Sequence, residues 1–143
     1  VRLLRGNRVC SAEAQTAIIS ALKELRVMQV LLVEDDVAVA LVVKTVLTRE
    51  GWDVHLVEDA ESALAWDGSA DLLVTDYNLP GVLNGLLLAR KLREQNASLA
   101  VVLMSGDFEE GQLMGESVAV LPKPFRRNAL LEAIDQARNA IRA

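Results

Sequence analysis

From residue 29 onward, short apolar runs alternate with stretches of helical periodicity. Residues 29–33, Val54–Val57, 71–75, 99–104 and 117–121 have strand length, and several are almost continuously apolar, as in Val101-Val102-Leu103-Met104. Between them, residues 37–50 read as a helix ended by Gly51, and Glu58–Trp66 as a short helix followed by an Asp67-Gly68-Ser69 turn. Gly85–Gln95 reads as a helix, residues 108–114 as a short helical piece, and Arg127–Ile141 as a last helix. Five strands separated by helices predict an α/β domain with a parallel sheet, because parallel strands need crossovers and these crossovers are helical. Strands that are apolar on both sides fit a sheet covered on both faces. Right-handed crossovers then bring the C-terminal ends of all five strands to one edge, where open sheets of this kind hold their ligands.

The segment before Met28 has a different character. Ser11 can cap a helix running to about Arg26, with Ala14, Ile18, Leu22 and Leu25 on one face. This gives an N-terminal extension, residues 1–27, and a main domain, residues 28–143. The extension is a linker or docking helix, or else translated sequence upstream of a true start at Met28. Arg2, Arg5, Arg8, Lys23 and Arg26 against Glu13 and Glu24 give the extension a charge of +3, so the main domain carries −8 of the overall −5. An acidic main domain argues against direct DNA binding, which draws on basic surface. With 52% hydrophobic but 3% aromatic residues, the core is expected to consist of Val, Leu, Ile and Ala. No apolar run approaches the ~20 residues of a membrane helix, so no membrane insertion is expected, and the absence of a secretory signal makes the cytoplasm the expected location. Cys10 is the only cysteine, which excludes an internal disulfide.

Charge and hydroxyl groups stand where four apolar runs end. The first run leads into Glu34-Asp35-Asp36, the third into Asp76, the fourth into Ser105-Gly106, and the fifth, through Pro122, into Lys123. Adjacent carboxylates repel one another, and a hard divalent cation such as Mg²⁺ relieves that repulsion. The same triplet also suits the N-terminus of a helix. Asp76 can act as a nucleophile toward phosphorus or as a turn residue beside Pro80-Gly81. Lys123 can neutralise phosphoryl oxygens or stand free in its loop, and a cis bond to Pro124 would aim it sharply. Ser105 can donate to an oxyanion or cap a turn. Each reading alone is open, but together the four strand ends carry metal ligands, an acceptor, a hydroxyl donor and a cation, the set that metal-assisted phosphoryl transfer requires.

With these residues in place, the sequence resembles the receiver domain of two-component response regulators, across roughly residues 28 to 141. The matching segments are Val30–Asp36, Asp71–Gly81, Val102–Gly106 and Leu121–Phe125. The resemblance implies a flavodoxin-like five-stranded parallel sheet of order 2-1-3-4-5. It implies that Asp76 accepts a phosphoryl group from a histidine kinase or a histidine phosphotransfer protein, and that the protein is no enzyme beyond self-phosphorylation and autodephosphorylation. It implies Mg²⁺ (or Mn²⁺) at Asp35, Asp76 and the main-chain carbonyl of Asn78, with Glu34 acting mainly through water. Ser105 and Lys123 would bind the transferred group, and Asn78 and Asp107 would tune its hydrolysis.

Three departures from the common family pattern stand out. Val120 occupies the usual position of an aromatic switch. The stretch from Ser105 to Lys123 is short, which predicts a short fourth helix and weakens the case for dimerisation through the usual face. The Pro80–Gly85 loop is one residue longer than in chemotaxis-type receivers. The last two traits resemble receivers of hybrid sensor histidine kinases. The 18 residues after Phe125 suffice for one helix and hold no DNA-binding or enzymatic output domain, so output is expected through protein contact, onward phosphotransfer or service to a larger chain of which this is a part. Two other classes compete: a phosphorylation-independent binding module on the same fold, and a metal-dependent phosphatase. The phosphatase lacks its acid, since Asn78 stands where a second carboxylate belongs. His55, Trp52, Trp66 and Tyr77 are expected to be structural or surface residues, with no part in the chemistry.

Overall fold

The computed structural model describes residues 11–107 and 117–142. Its elements, in chain order, are α1 (Ala12–Leu25), β1 (Gln29–Val33), α2 (Val37–Arg49), β2 (Asp53–Val57), α3 (Ala60–Ala65), β3 (Leu72–Asp76), α4 (Gly85–Gln95), β4 (Ala100–Ser105), β5 (Ala119–Pro122) and α5 (Arg127–Arg142). The strands form one parallel sheet of order β2-β1-β3-β4-β5, as the resemblance implies. The predicted helical piece at 108–114 lies outside the described residues, as does Cys10.

Alternation along each strand splits the core into two layers. Val30, Leu32, Leu72, Val74, Val102 and Met104 point to one face, where Val43 and Leu47 of α2 and Leu130, Ile134 and Ala137 of α5 cover them. Leu31, Val33, Leu73, Val101 and Leu103 point to the other, covered by Ala60 and Ala63 of α3 and Leu88 and Ala89 of α4. Trp52 packs on the first layer and Trp66 on the second, where its ring also stacks on His55 at 4.8 Å between centroids. Tyr77 is half-buried against the second layer rather than a surface residue.

Helix starts follow their caps. Asp36, Asp59 and Asn84 each accept hydrogen bonds from backbone N–H groups of the first turn of α2, α3 and α4. Gly51, at φ +85°, turns the chain after α2, a conformation that other residues rarely adopt. At the foot of the sheet, the Asp71 carboxylate accepts from the Gln29 N–H at 2.8 Å and pairs with the Arg26 guanidinium, tying α1 to the start of the sheet. No helix among the described residues is long and apolar enough to cross a membrane.

Candidate functional site

Strand register brings the candidate residues together. Val33 aligns with Thr75, Asp76 with Met104, and Ser105 with Pro122, so the chain segments leaving four adjacent strands share one edge. Backbone hydrogen bonds extend the pairing past the strand ends: Glu34 N–H to Val57 O at 3.1 Å, Tyr77 N–H to Met104 O at 2.8 Å, and Lys123 N–H to Ser105 O at 2.9 Å. These bonds fix the backbone beneath each functional side chain.

Glu34, Asp35 and Asp76 form a cluster in which one carboxylate oxygen from each lies within 4.8 Å of the others. Their environments differ. The Glu34 side chain is fully buried, Asp76 is 9% exposed, and Asp35 faces solvent. Burial pushes the Glu34 carboxyl above its ordinary range, against the hydrogen bonds from Lys123 and the Asp36 N–H; the Asp76 charge adds to the rise. Lys123 Nζ donates to Glu34 Oε2 at 3.0 Å and to Asp76 Oδ2 at 3.2 Å. Burial works against the lysine's charge, but the hydrogen bond to Glu34 and the Asp76 charge outweigh it and raise its pKa above 10.5. The peptide bond from Lys123 to Pro124 is cis.

Ser105 is buried, and its Oγ accepts from the Asp107 N–H at 3.1 Å, leaving the hydroxyl proton free to donate. Asn78 and Asp107 are exposed at the rim. Val120 is 36% exposed on β5, an aliphatic side chain at the surface. Asp36 stays outside the carboxylate cluster; its Oδ1 accepts from Ala38 and Val39 N–H at 2.9 and 3.1 Å. The acidic triplet therefore divides, with two members at the cluster and the third serving as helix cap.

Gly85 has a role that periodicity did not show. A Cβ there would lie 2.3 Å from the Asp76 carbonyl oxygen, and the Gly85 N–H donates to Tyr77 O at 2.7 Å. The first turn of α4 thus presses directly on the backbone of Asp76, which only glycine permits. A groove of about 410 Å³ opens beside Lys123, lined by Ala38, Val39, Val42, Pro124 and Phe125.

A clustered set of oxygen donors with one acid held deep, one at the rim and a lysine between suits a hard divalent cation, which takes carboxylates together with carbonyls and waters. An almost dry carboxylate next to a cation, with a hydroxyl on the adjacent strand end, suits phosphoryl acceptance. Comparison with known proteins agrees. The family model of the response regulator receiver domain matches residues 30–135. The aerobic respiration control protein ArcA of Escherichia coli is 35% identical over 107 residues, which are 71% of this chain and 44% of ArcA. The transcriptional regulatory protein CpxR of Klebsiella pneumoniae is 33% identical over 110 residues, 74% of this chain and 47% of CpxR. The chain thus spans less than half the length of these curated relatives.

Among solved structures, the receiver domain of the hybrid histidine kinase CckA is 33% identical with a TM-score of 0.63, covering 77% of this chain and 98% of that one. A response regulator receiver protein from Sinorhizobium medicae is 28% identical with a TM-score of 0.73, covering 82% and 98%. The chain belongs to the response regulator receiver domains, the phosphoacceptor modules of two-component signal transduction.

Proposed function

We propose that Asp76 is the phosphoacceptor and that its donor is the phosphohistidine of a histidine kinase or a histidine phosphotransfer protein. The observation that carries this is the double hydrogen bond of Lys123 to Glu34 and Asp76 beside Asp35. In the proposed step, an Asp76 carboxylate oxygen attacks phosphorus and forms a C–O–P bond. The P–N bond breaks, and its electron pair returns to the donor imidazole. Lys123, already 3.2 Å from Asp76, offsets the charge of the phosphoryl oxygens, and the Ser105 hydroxyl donates to one of them. Glu34, Asp35, Asp76 and the Asn78 carbonyl would hold Mg²⁺ (or Mn²⁺), which supplies positive charge to the same oxygens when bound. Glu34 also holds Lys123 in place from below.

The same chemistry supports slow self-phosphorylation from small acyl phosphates and slow autodephosphorylation, without turnover of a separate substrate. Asn78 and Asp107 at the rim would position the hydrolytic water. Residues 28–143 act as the receiver and residues 1–27 as an extension. Output runs through contact with another protein in the cytoplasm, and Val120 means that no aromatic side chain carries the signal from Ser105. To test the assignment, the protein is incubated with acetyl phosphate and Mg²⁺ and its intact mass is read. One phosphoryl adduct is expected on the wild type and none on Asp76→Asn; equal adducts on both would refute it.

The exposed Val120 favours a second reading, partner binding that ignores phosphorylation. Equal partner affinity for wild type, Asp76→Ala and a beryllofluoride-treated sample would select that reading.

A further inference from the structure

The groove beside Lys123 adjoins the acceptor site, and its walls say what fits it. Val39 of α2 and Phe125 are half-buried and packed on the first core layer, while Ala38, Val42 and Pro124 stand exposed along the groove. Among the described residues that line it, Lys123 alone carries a polar side chain. Both walls are fixed by the fold. Asp36 Oδ1 accepts from the Ala38 and Val39 N–H groups at 2.9 and 3.1 Å, and the Lys123 N–H donates to Ser105 O at 2.9 Å. A volume of about 410 Å³ falls within the range of small-molecule sites.

Lys123 belongs to both places. It lines the groove, and its Nζ lies 3.2 Å from Asp76 Oδ2. In phosphoryl transfer the attacking and leaving oxygens stand roughly in line, on opposite sides of phosphorus. With Asp76 attacking, the leaving group points out of the acidic cluster, where Glu34, Asp35 and Asp76 would repel a departing anion. The groove offers that group an apolar wall without a carboxylate.

Building on the reading of Asp76 as acceptor, we infer that the groove is a leaving-group subsite that selects small acyl phosphates with an apolar chain over acetyl phosphate. An Asp76 carboxylate oxygen bonds to phosphorus, the bond from phosphorus to the acyl oxygen breaks, and its electron pair leaves on the free carboxylate. The step needs no proton and no redox partner. Butyryl phosphate has two more methylenes than acetyl phosphate, the same charge and a leaving carboxylate of nearly the same basicity, so a difference in kcat/KM between them reads the chain's binding. Each fully buried methylene is worth about fourfold, or about 15-fold for two. Val42 is 57% exposed, so the groove is open on one side and a preference of about fivefold is expected.

The full chain with Mg²⁺ is incubated with acetyl or butyryl phosphate at concentrations below saturation, and the phosphoryl adduct is followed by intact mass over time. Wild type is expected to favour butyryl phosphate about fivefold in kcat/KM. Ala38→Leu fills the groove and Val42→Ser removes an apolar contact from it. Both should keep the acetyl phosphate rate, which reports an intact site, and bring the preference below about twofold. Equal rates in wild type overturn the inference and leave the groove to a protein donor. A preference undiminished in both variants overturns it as well, since the selection then arises elsewhere. No adduct from either donor removes the acceptor reading and the inference with it, whereas equal adducts from both strike the inference alone.

Discussion

Lys123 is the residue on which the electrostatics of the site turn, and its removal makes a quantitative prediction. In Lys123→Met the stem is kept and the ammonium lost, so packing changes little. Two contacts disappear, at 3.0 Å to Glu34 and 3.2 Å to Asp76. At these separations each attraction is worth about 5 kcal/mol at an effective dielectric constant near 20, before the lysine's own desolvation is counted. Breaking a buried pair costs about 3–5 kcal/mol. Because the lysine side chain is 23% exposed, and because Glu34 can take up a proton, a loss of about 2–3 kcal/mol at pH 8 is expected.

The pH dependence follows from the direction of each shift. Glu34 titrates above its ordinary 4.5 in the folded protein, so its contribution to stability is full below that value and is lost as pH rises through the folded pKa. Without Lys123 the folded pKa rises further, because the lysine lowers it. The variant therefore loses more stability than the wild type as pH rises from 5 to 8. Lys123 titrates above 10.5 in the folded protein, so the wild type loses an increment of stability as pH rises through that folded pKa, an increment the variant lacks. Urea unfolding followed by circular dichroism at pH 5, 6.5, 8 and 10.5–12 measures all of this. Equal stabilities with parallel pH profiles would refute the buried ion-pair reasoning.

Three further outcomes are expected. Gly85→Ala, whose Cβ would sit 2.3 Å from the Asp76 carbonyl, should lower stability by about 2 kcal/mol or more in urea unfolding and slow phosphorylation, since the backbone under the acceptor has to shift. Saturating Mg²⁺ should raise the unfolding free energy of the wild type by about 2–3 kcal/mol at 100 times its dissociation constant, and titration calorimetry of Asp35→Asn should show at least about tenfold weaker binding. Val120→Ala, at a surface position, should change stability by less than about 1 kcal/mol and leave the rate of phosphorylation from acetyl phosphate as it is.

The sheet was legible in the sequence because its strands are long enough, apolar enough and separated by capped helices. Gly85–Gln95 begins and ends where the pattern puts it, and Arg127 opens the last helix. Boundaries moved by one or two residues where a cap or a register decided them. The short third helix starts at Ala60 because Asp59 turns its side chain to the Ser62 N–H, and β5 starts at Ala119 because it pairs there with Val102. The meeting of Glu34, Asp35, Asp76 and Lys123, with Ser105 at the same sheet edge, was legible from the strand ends.

The local pattern did not separate them, although the family resemblance set Asp35 on the metal and Glu34 behind water. Three consecutive acids look alike in sequence, yet one is buried beneath the lysine, one lies at the rim and one caps a helix. Only the packed backbone distinguishes them. Gly85 was visible as a helix start, but its contact with Asp76 depends on how closely α4 docks over β3. Arg93, whose guanidinium donates to Leu99 O and Ser117 O, gave no local signal, because its partners lie 6 and 24 residues away.

Reductive trapping tests the central assignment most directly. The protein is phosphorylated with acetyl phosphate and Mg²⁺ and treated with borohydride, which converts an acyl phosphate to an alcohol. The peptides spanning residues 29–44 and 71–85 are then mapped by mass spectrometry. Reduction at residue 76 alone is expected, abolished when Mg²⁺ is withheld and in Lys123→Met strongly diminished. Reduction at Asp35 or Glu34 instead, or none at a peptide that nevertheless carries phosphate, would contradict the assignment of Asp76 as the acceptor.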